Sequence, residues 1–258
     1  MRLRQVALAS RQLDKVTDAL HEVFGLRVAY NDPHIKHYGL RNAVLPAGTG
    51  FLEVVEPITE DASAARFLNR RGGDAGYMVI LQVADAEAER ARALGLGARV
   101  VDDIDTPAYR CAHFHPADFG GVLVSFDQQR TASDFLEPCG DWMPAGPDWR
   151  AARTDLVQDL TSVTLSAADP SALARRWSQL VGRPLDPFDP SRLPLDHGEI
   201  RFRSSEQPAT SVFGLEFSMA EPKKAMARAR EAGVEAASSG GVLIGGVRFK
   251  PVAATQPA

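Results

Sequence analysis

The sequence predicts an α+β fold of βαβββ modules in tandem, two modules to a domain and two domains to the chain, with curved mixed sheets. Three observations predict it. Alternating apolar runs give way to helical periodicity closed by a glycine, that order returns along the chain, and the two halves keep the same spacing. Gln5-Val-Ala-Leu runs to Gly25 as Ser162-Val-Thr-Leu runs to Gly182, and Gly120-Gly121-Val122 is echoed by Gly245-Gly246-Val247.

Residues 3–9 read as a strand, and Leu13, Val16, Leu20, Val23 and Phe24 recur at helical spacing until Gly25. Short apolar segments near 36–40, 43–46 and 51–55, punctuated by Pro46, Gly48 and Gly50, read as three strands. A connection over 57–75 leads to a strand at Tyr77–Val83, then to a helix at Ala86–Leu94 ended by Gly95 and Gly97. Val100-Val101, Arg110–Phe114 and Val122–Phe126 supply three more strands. Residues 128–154 lose the periodicity but hold Pro138, Pro144, Pro147, Trp142 and Trp149, which reads as an ordered linker with buried indoles. Beyond it, Phe213–Met219 and the helical run Ala225–Ala232 before Gly233 repeat the order of Tyr77–Gly97. The expected organisation is an N-terminal domain over 1–127, a linker over 128–154 and a degenerate C-terminal domain over 155–258.

Composition narrows the function. A net charge of -4, with Lys and Arg dispersed along the chain, gives no nucleic-acid footprint. No run approaches the roughly 18 apolar residues of a membrane span, and the opening segment is too interrupted for a signal peptide. Cys111 and Cys139 have neither metal-like spacing nor the number for a disulfide framework, so a cytoplasmic protein is expected.

Four segments in order carry a family resemblance: Arg4-Gln-Val-Ala-Leu, Phe51-Leu-Glu-Val-Val-Glu-Pro, Gly76-Tyr-Met-Val-Ile-Leu-Gln-Val-Ala-Asp and His113-Phe-His-Pro-Ala-Asp-Phe-Gly-Gly-Val-Leu-Val-Ser. With them the chain resembles the glyoxalase-like proteins of the vicinal oxygen chelate superfamily, which includes glyoxalase I, methylmalonyl-CoA epimerase, bleomycin-resistance proteins and extradiol dioxygenases. The resemblance spans nearly all of 1–127 and, more weakly, 157–252. It implies one small-molecule site in the N-terminal half. It also implies a divalent metal held from four central strands, at positions occupied here by Gln5, Glu53, Met78 and Ser125. A thioether and a neutral hydroxyl are poor donors for hard or borderline ions, so no cofactor is expected. A divalent metal through Gln5 and Glu53, helped by His37, His113 or His115, is the alternative.

Among single residues Glu53 stands out, because strand parity places it with Phe51 and Val55 among apolar neighbours. Burial raises a carboxyl pKa toward the range useful for moving protons, which makes Glu53 a candidate general acid or base. The plainer reading pairs it with Gln5 or an arginine in a polar core. His115 is the second catalytic candidate, against a role in the His-Pro turn. His113 shares its parity. Ser125 and Asp127 share a strand face with Leu123 and are expected to bind substrate, since no nucleophile elbow surrounds Ser125. Arg71, in the Arg70-Arg71-Gly72-Gly73 turn, suits an anionic group unless it is simply solvated. His37, Asn42, Tyr77 and Met78 are further lining candidates. The matching positions of the second half, Ser162, Gly214 and Lys250 with Arg201 or Arg203, hold neither a cage nor an acid–base pair.

The expectation is an enzyme of lyase or isomerase type that moves a proton at carbon in a small oxygenated metabolite. The alternative is a metal-free binding or sequestration protein of the bleomycin-resistance type. Either takes a small-molecule partner, needs no nucleic acid or membrane, and is compatible with a homodimer.

Overall fold

The computed structural model describes residues 1–205, 210–238 and 240–254. The chain opens with β1 (Arg2–Ala9), buried along its whole length, and α1 (Leu13–Phe24), whose side chains Leu13, Val16, Leu20, Val23 and Phe24 are buried at helical spacing. Each such side chain removed from water contributes about 1.5–3 kcal/mol, which turns a weak local preference into a stable helix. β2 (Leu40–Ala47) and β3 (Gly50–Pro57) then form an antiparallel hairpin in register from Leu40↔Pro57 to Ala47↔Gly50.

Two expectations fail in this region. The segment near 36–40 is not a strand: Asp32 caps a 3-10 turn over Pro33–Tyr38 by accepting the His34 N–H, and Pro33 has no N–H to give a ladder. An isolated bridge between Tyr30 and Val44 stands in its place. The stretch 57–75 is more than a connection, because it contains α2 (Ser63–Arg71). This helix buries Ala64, Ala65, Phe67 and Leu68 and ends at Gly72 with φ 76°.

The second module follows the expected order, with β4 (Ala75–Gln82), α3 (Ala86–Gly95), β5 (Val100–Asp105), β6 (Tyr109–Phe114) and β7 (Leu123–Gln129). β6 pairs antiparallel with β5 and β7, while β4 and β7 run parallel from Met78↔Leu123 to Gln82↔Asp127. A parallel pair needs a long crossover, and the helix and strands between β4 and β7 supply it. The second half repeats the scheme with β8 (Val157–Ala167), α4 (Pro170–Val181), β9 (Arg192–Pro194) and β10 (Glu199–Ser204). Its last module has β11 (Ser211–Met219), α5 (Pro222–Glu231), β12 (Val242–Ile244) and β13 (Val247–Ala253). First and last strands again pair parallel, Ser162↔Glu199 in one module and Gly214↔Arg248 in the other.

The chain packs as two compact units that do not follow sequence order. The first holds Met1–Gln5, Met78–Met143 and Ser162–Phe213; the second holds Val6–Tyr77, Pro144–Thr161 and the chain from Gly214. In the first, the Phe119 ring meets Trp177 edge-on at 5.2 Å and the Phe119 carbonyl accepts the indole N–H at 3.0 Å. In the second, Phe24, Phe217 and Phe249 cluster with centroids 5.3, 5.5 and 5.8 Å apart. The linker is ordered within both. Trp149 of the second unit packs on Phe51 at 4.8 Å, and Arg27 donates to the carbonyls of Ala151, Ala152 and Arg153.

Gly48 turns the β2–β3 hairpin with φ 69°, and a Cβ there would stand 1.8 Å from the Gln158 carbonyl oxygen. Gly72 has a similar φ of 76° but nothing within 4 Å of a built Cβ. Gly72→Ala therefore costs only the left-handed backbone penalty of about 1–2 kcal/mol. Gly48→Ala adds a backbone collision and costs at least about 3 kcal/mol in urea unfolding; similar losses in the two variants would contradict this packing.

Candidate functional site

Glu53 lies in the middle of β3 and is 8% exposed, among buried Phe51, Leu52, Val54 and Val55. Register places it opposite Val44, with Asn42 diagonal to it on the same face of the hairpin. From there Asn42 Nδ2 donates to Glu53 Oε1 at 2.7 Å. The partner that sequence reasoning sought in Gln5 or an arginine includes a neutral amide.

Three other predicted residues, Tyr77, Arg71 and His37, belong to the second unit. Tyr77 packs edge-on against Phe67 at 5.0 Å, and Arg71 lies over the same Phe67 ring at 5.5 Å. Burial raises the Tyr77 phenol pKa above its usual value; Arg66 and Arg70 oppose this, and the negative charge of Glu53 adds to it. Burial, with Arg70 adding to it, lowers the pKa of Arg71. His37 is exposed on the Pro33–Tyr38 turn, its ring 5.4 Å from Tyr38.

In the first unit the predicted polar residues are tied to one another. Asp127 is 1% exposed and accepts from Ser125 Oγ on one oxygen and from the Tyr109 hydroxyl on the other. The Tyr109 ring meets the buried Trp142 ring at 5.9 Å, and the Trp142 indole N–H donates to Gln5 Oε1 at 2.8 Å. The Arg4 guanidinium covers Trp142 at 5.3 Å and donates to Gly140 O at 3.2 Å, while Arg2 donates to Glu137 O at 3.3 Å. Gln5, Ser125 and Asp127 are thus joined under the linker. Met78 is buried on β4 opposite Leu123.

The histidines do different work. His113 Nε2 is 3.6 Å from Cys111 Sγ and its Nδ1 is 3.7 Å from Asp102. Burial holds its pKa below the ordinary histidine value, with Asp102 opposing, and burial with the nearby Asp127 charge keeps Cys111 a thiol. His115 Nδ1 accepts the Ala117 N–H and so caps the turn over Pro116–Phe119. Two clefts open in the first unit, of about 440 Å³ beside Asp118, Leu173 and Arg176 and of about 230 Å³ beside Gln128 and Arg130. None of the predicted site residues lines either of them.

Residues 6–181 match the family defined by the Glyoxalase-like domain. The chain belongs to that family. No curated protein matches it. Among solved structures, a variant of 4-hydroxymandelate synthase from Streptomyces coelicolor aligns over 90% of this glyoxalase-like chain and 75% of its own, with a TM-score of 0.66 and 15% identity, a likeness of fold. Methylmalonyl-CoA epimerase from Mycobacterium tuberculosis is 26% identical over 50% of this chain and 87% of its own, with a TM-score of 0.45.

The superfamily implies a divalent metal, and the residues at its positions do not fit one. Met78 offers a thioether, the Ser125 hydroxyl donates a hydrogen bond to Asp127, Gln5 Oε1 accepts an indole N–H, and Glu53 accepts the Asn42 amide N–H. Among the described residues, no three His, Cys, Asp or Glu are grouped to hold an ion. Sequence reasoning missed Tyr109 as the Asp127 partner and missed Asn31 and Asp32 beside Asn42. A hydroxyl on a neighbouring strand facing a buried carboxylate was the available signal for the first.

His113 sets a pH dependence. Its folded pKa lies below the unfolded value of about 6.5, so on acidification the unfolded chain takes up a proton before the folded chain does. The stability this residue contributes is complete above about pH 6.5 and is lost as pH falls toward its folded pKa. His113→Asn should flatten the decline of the urea midpoint between about pH 7 and 5; an unchanged slope would show that His113 is protonated equally in both states.

Proposed function

We propose that this glyoxalase-like chain is an enzyme that moves a proton at carbon in a small oxygenated metabolite, with Glu53 as general base. The observation that supports it most is a buried carboxylate in the middle of an apolar strand, which accepts the amide N–H of Asn42. Such a carboxylate accepts a proton from a carbon beside a carbonyl, the electron pair passes into the enolate, and the proton returns to carbon or a leaving group departs. Tyr77, kept a phenol by its raised pKa, can donate to the substrate oxygen, and Arg71 suits an anionic substituent. His115 stays with the turn that it caps. No step is assigned to a metal.

A second reading has a specific observation behind it. Gln5, Ser125 and Asp127 are engaged by Trp142, Tyr109 and each other, which suits a metal-free binding or sequestration protein as well as a catalyst.

Incubation with α-keto acids, acyl-CoA esters and aromatic metabolites in D₂O, followed by mass spectrometry, separates these readings. The enzyme incorporates deuterium at carbon or forms product, and Glu53→Gln lowers that rate by about 10²–10⁴-fold. Full turnover by Glu53→Gln would remove Glu53 from the chemistry. A ligand that raises the melting temperature without exchange or product would favour sequestration.

A further inference from the structure

The second half of the chain carries a polar face at positions where buried sheet surface is ordinarily apolar. Along β8, Val163 and Leu165 are fully buried on one side; Ser162, Thr164 and Ser166 alternate with them on the other side and are buried too. β10 runs parallel beside it in the register Ser162↔Glu199, Thr164↔Arg201 and Ser166↔Arg203. The Phe202 ring lies 6.3 Å from Trp177 of α4, so the alternate residues of β10, Glu199, Arg201 and Arg203, share the face of the three hydroxyls.

One of these hydroxyls has no answer within the fold. Ser166 Oγ lies 2.8 Å from Ser211 Oγ, but Ser162, 1% exposed, has an Oγ with no hydrogen-bond partner among the described residues. Alanine would occupy that strand position without burying a polar atom, so the hydroxyl is a cost to the folded chain unless something else meets it. The charges on the same face favour an anion. Glu199 accepts from Arg192 at 2.6 Å and from Arg201, so two guanidinium groups share one carboxylate; Arg192 also reaches Asp186 at 3.1 Å. Arg203 lies over the Phe213 ring at 4.0 Å, and among the described residues no carboxylate pairs with it. Stacking on an aromatic face orients a guanidinium while leaving its N–H edge available to a ligand.

We propose that this face binds a short metabolite with an oxyanion, carboxylate or phosphate, at one end and a hydroxyl at the other. The oxyanion lies over Thr164 between Arg201 and Arg203, whose planar forks match either anion, and the Thr164 hydroxyl donates to it. Ser162 stands two residues away on the same face, about 7 Å along the strand, and its Oγ–H meets the far hydroxyl of the ligand. The site goes beyond the chemistry assigned to Glu53 and does not depend on it: a half with neither a metal cage nor an acid–base pair binds an anion here.

Titration of the ¹⁵N-labelled full chain with glycerol 3-phosphate and, separately, with 4-hydroxybutanoate, at fixed pH and ionic strength, tests this by backbone amide shifts. At least one probe should give saturable shifts concentrated on β8 and β10, and the probe that binds tells phosphate from carboxylate. Ser162→Ala and Arg203→Gln should each weaken that binding by about tenfold or more. Ser162→Ala removes an unsatisfied atom and Arg203 is exposed, so both variants are expected to fold, and either one alone locates the site. No saturable shift with either probe up to about 10 mM, a level corresponding to hardly any binding free energy, would overturn the proposal, and so would affinity unchanged in the folded variants.

Discussion

The fold depends on the pairing of polar side chains that lie on otherwise apolar sheet surface. A carboxylate left unpartnered there would cost several kcal/mol, comparable to the whole stability of a domain. Three of the buried polar groups on these strands have an answer close by: Asn42 for Glu53, Tyr109 and Ser125 for Asp127, Trp142 for Gln5. The same constraint orders the linker. Arg2 and Arg4 are almost fully buried on β1, and the carbonyls of Glu137 and Gly140 accept from them. A stretch with no periodicity of its own is held because buried guanidinium groups need its backbone oxygens.

How much could be read in advance follows from the range of each interaction. The repeat of strand, helix and glycine stop was legible because both periods are local and Gly25 and Gly182 close their helices with left-handed φ. α2 was not, because its buried stripe of Ala64, Ala65, Phe67 and Leu68 is short and shares nine residues with three arginines. The Pro33–Tyr38 turn was missed for a different reason: composition resembled a strand, while one cap and one proline decided otherwise. Period-two parity correctly joined Ser125 to Asp127, since residues two apart share a face in any strand. It could not supply Tyr109, which reaches Asp127 from another strand, or Trp142, which reaches Tyr109 and Gln5 from the linker. Glu53 was legible as a buried carboxylate and Asn42 as a polar neighbour, but their bond depends on the hairpin register, which sequence fixes poorly.

The chemistry of the partners separates the two buried carboxylates. Asp127 has a hydroxyl on each oxygen, and both donors carry protons that a hydroxyl can reorient or share. A carboxylate so held is a stable element of a polar core and a poor acceptor for a further proton, because each oxygen already serves as acceptor in a charge-assisted bond. Glu53 receives an amide N–H, which does not leave its nitrogen, and its neighbours along the strand include buried Phe51, Leu52, Val54 and Val55. Low local polarity strengthens the hydrogen bond that the amide makes to the carboxylate. That difference in donor chemistry, hydroxyl groups on one carboxylate and an amide on the other, directs the proposed function to Glu53 more than burial alone does.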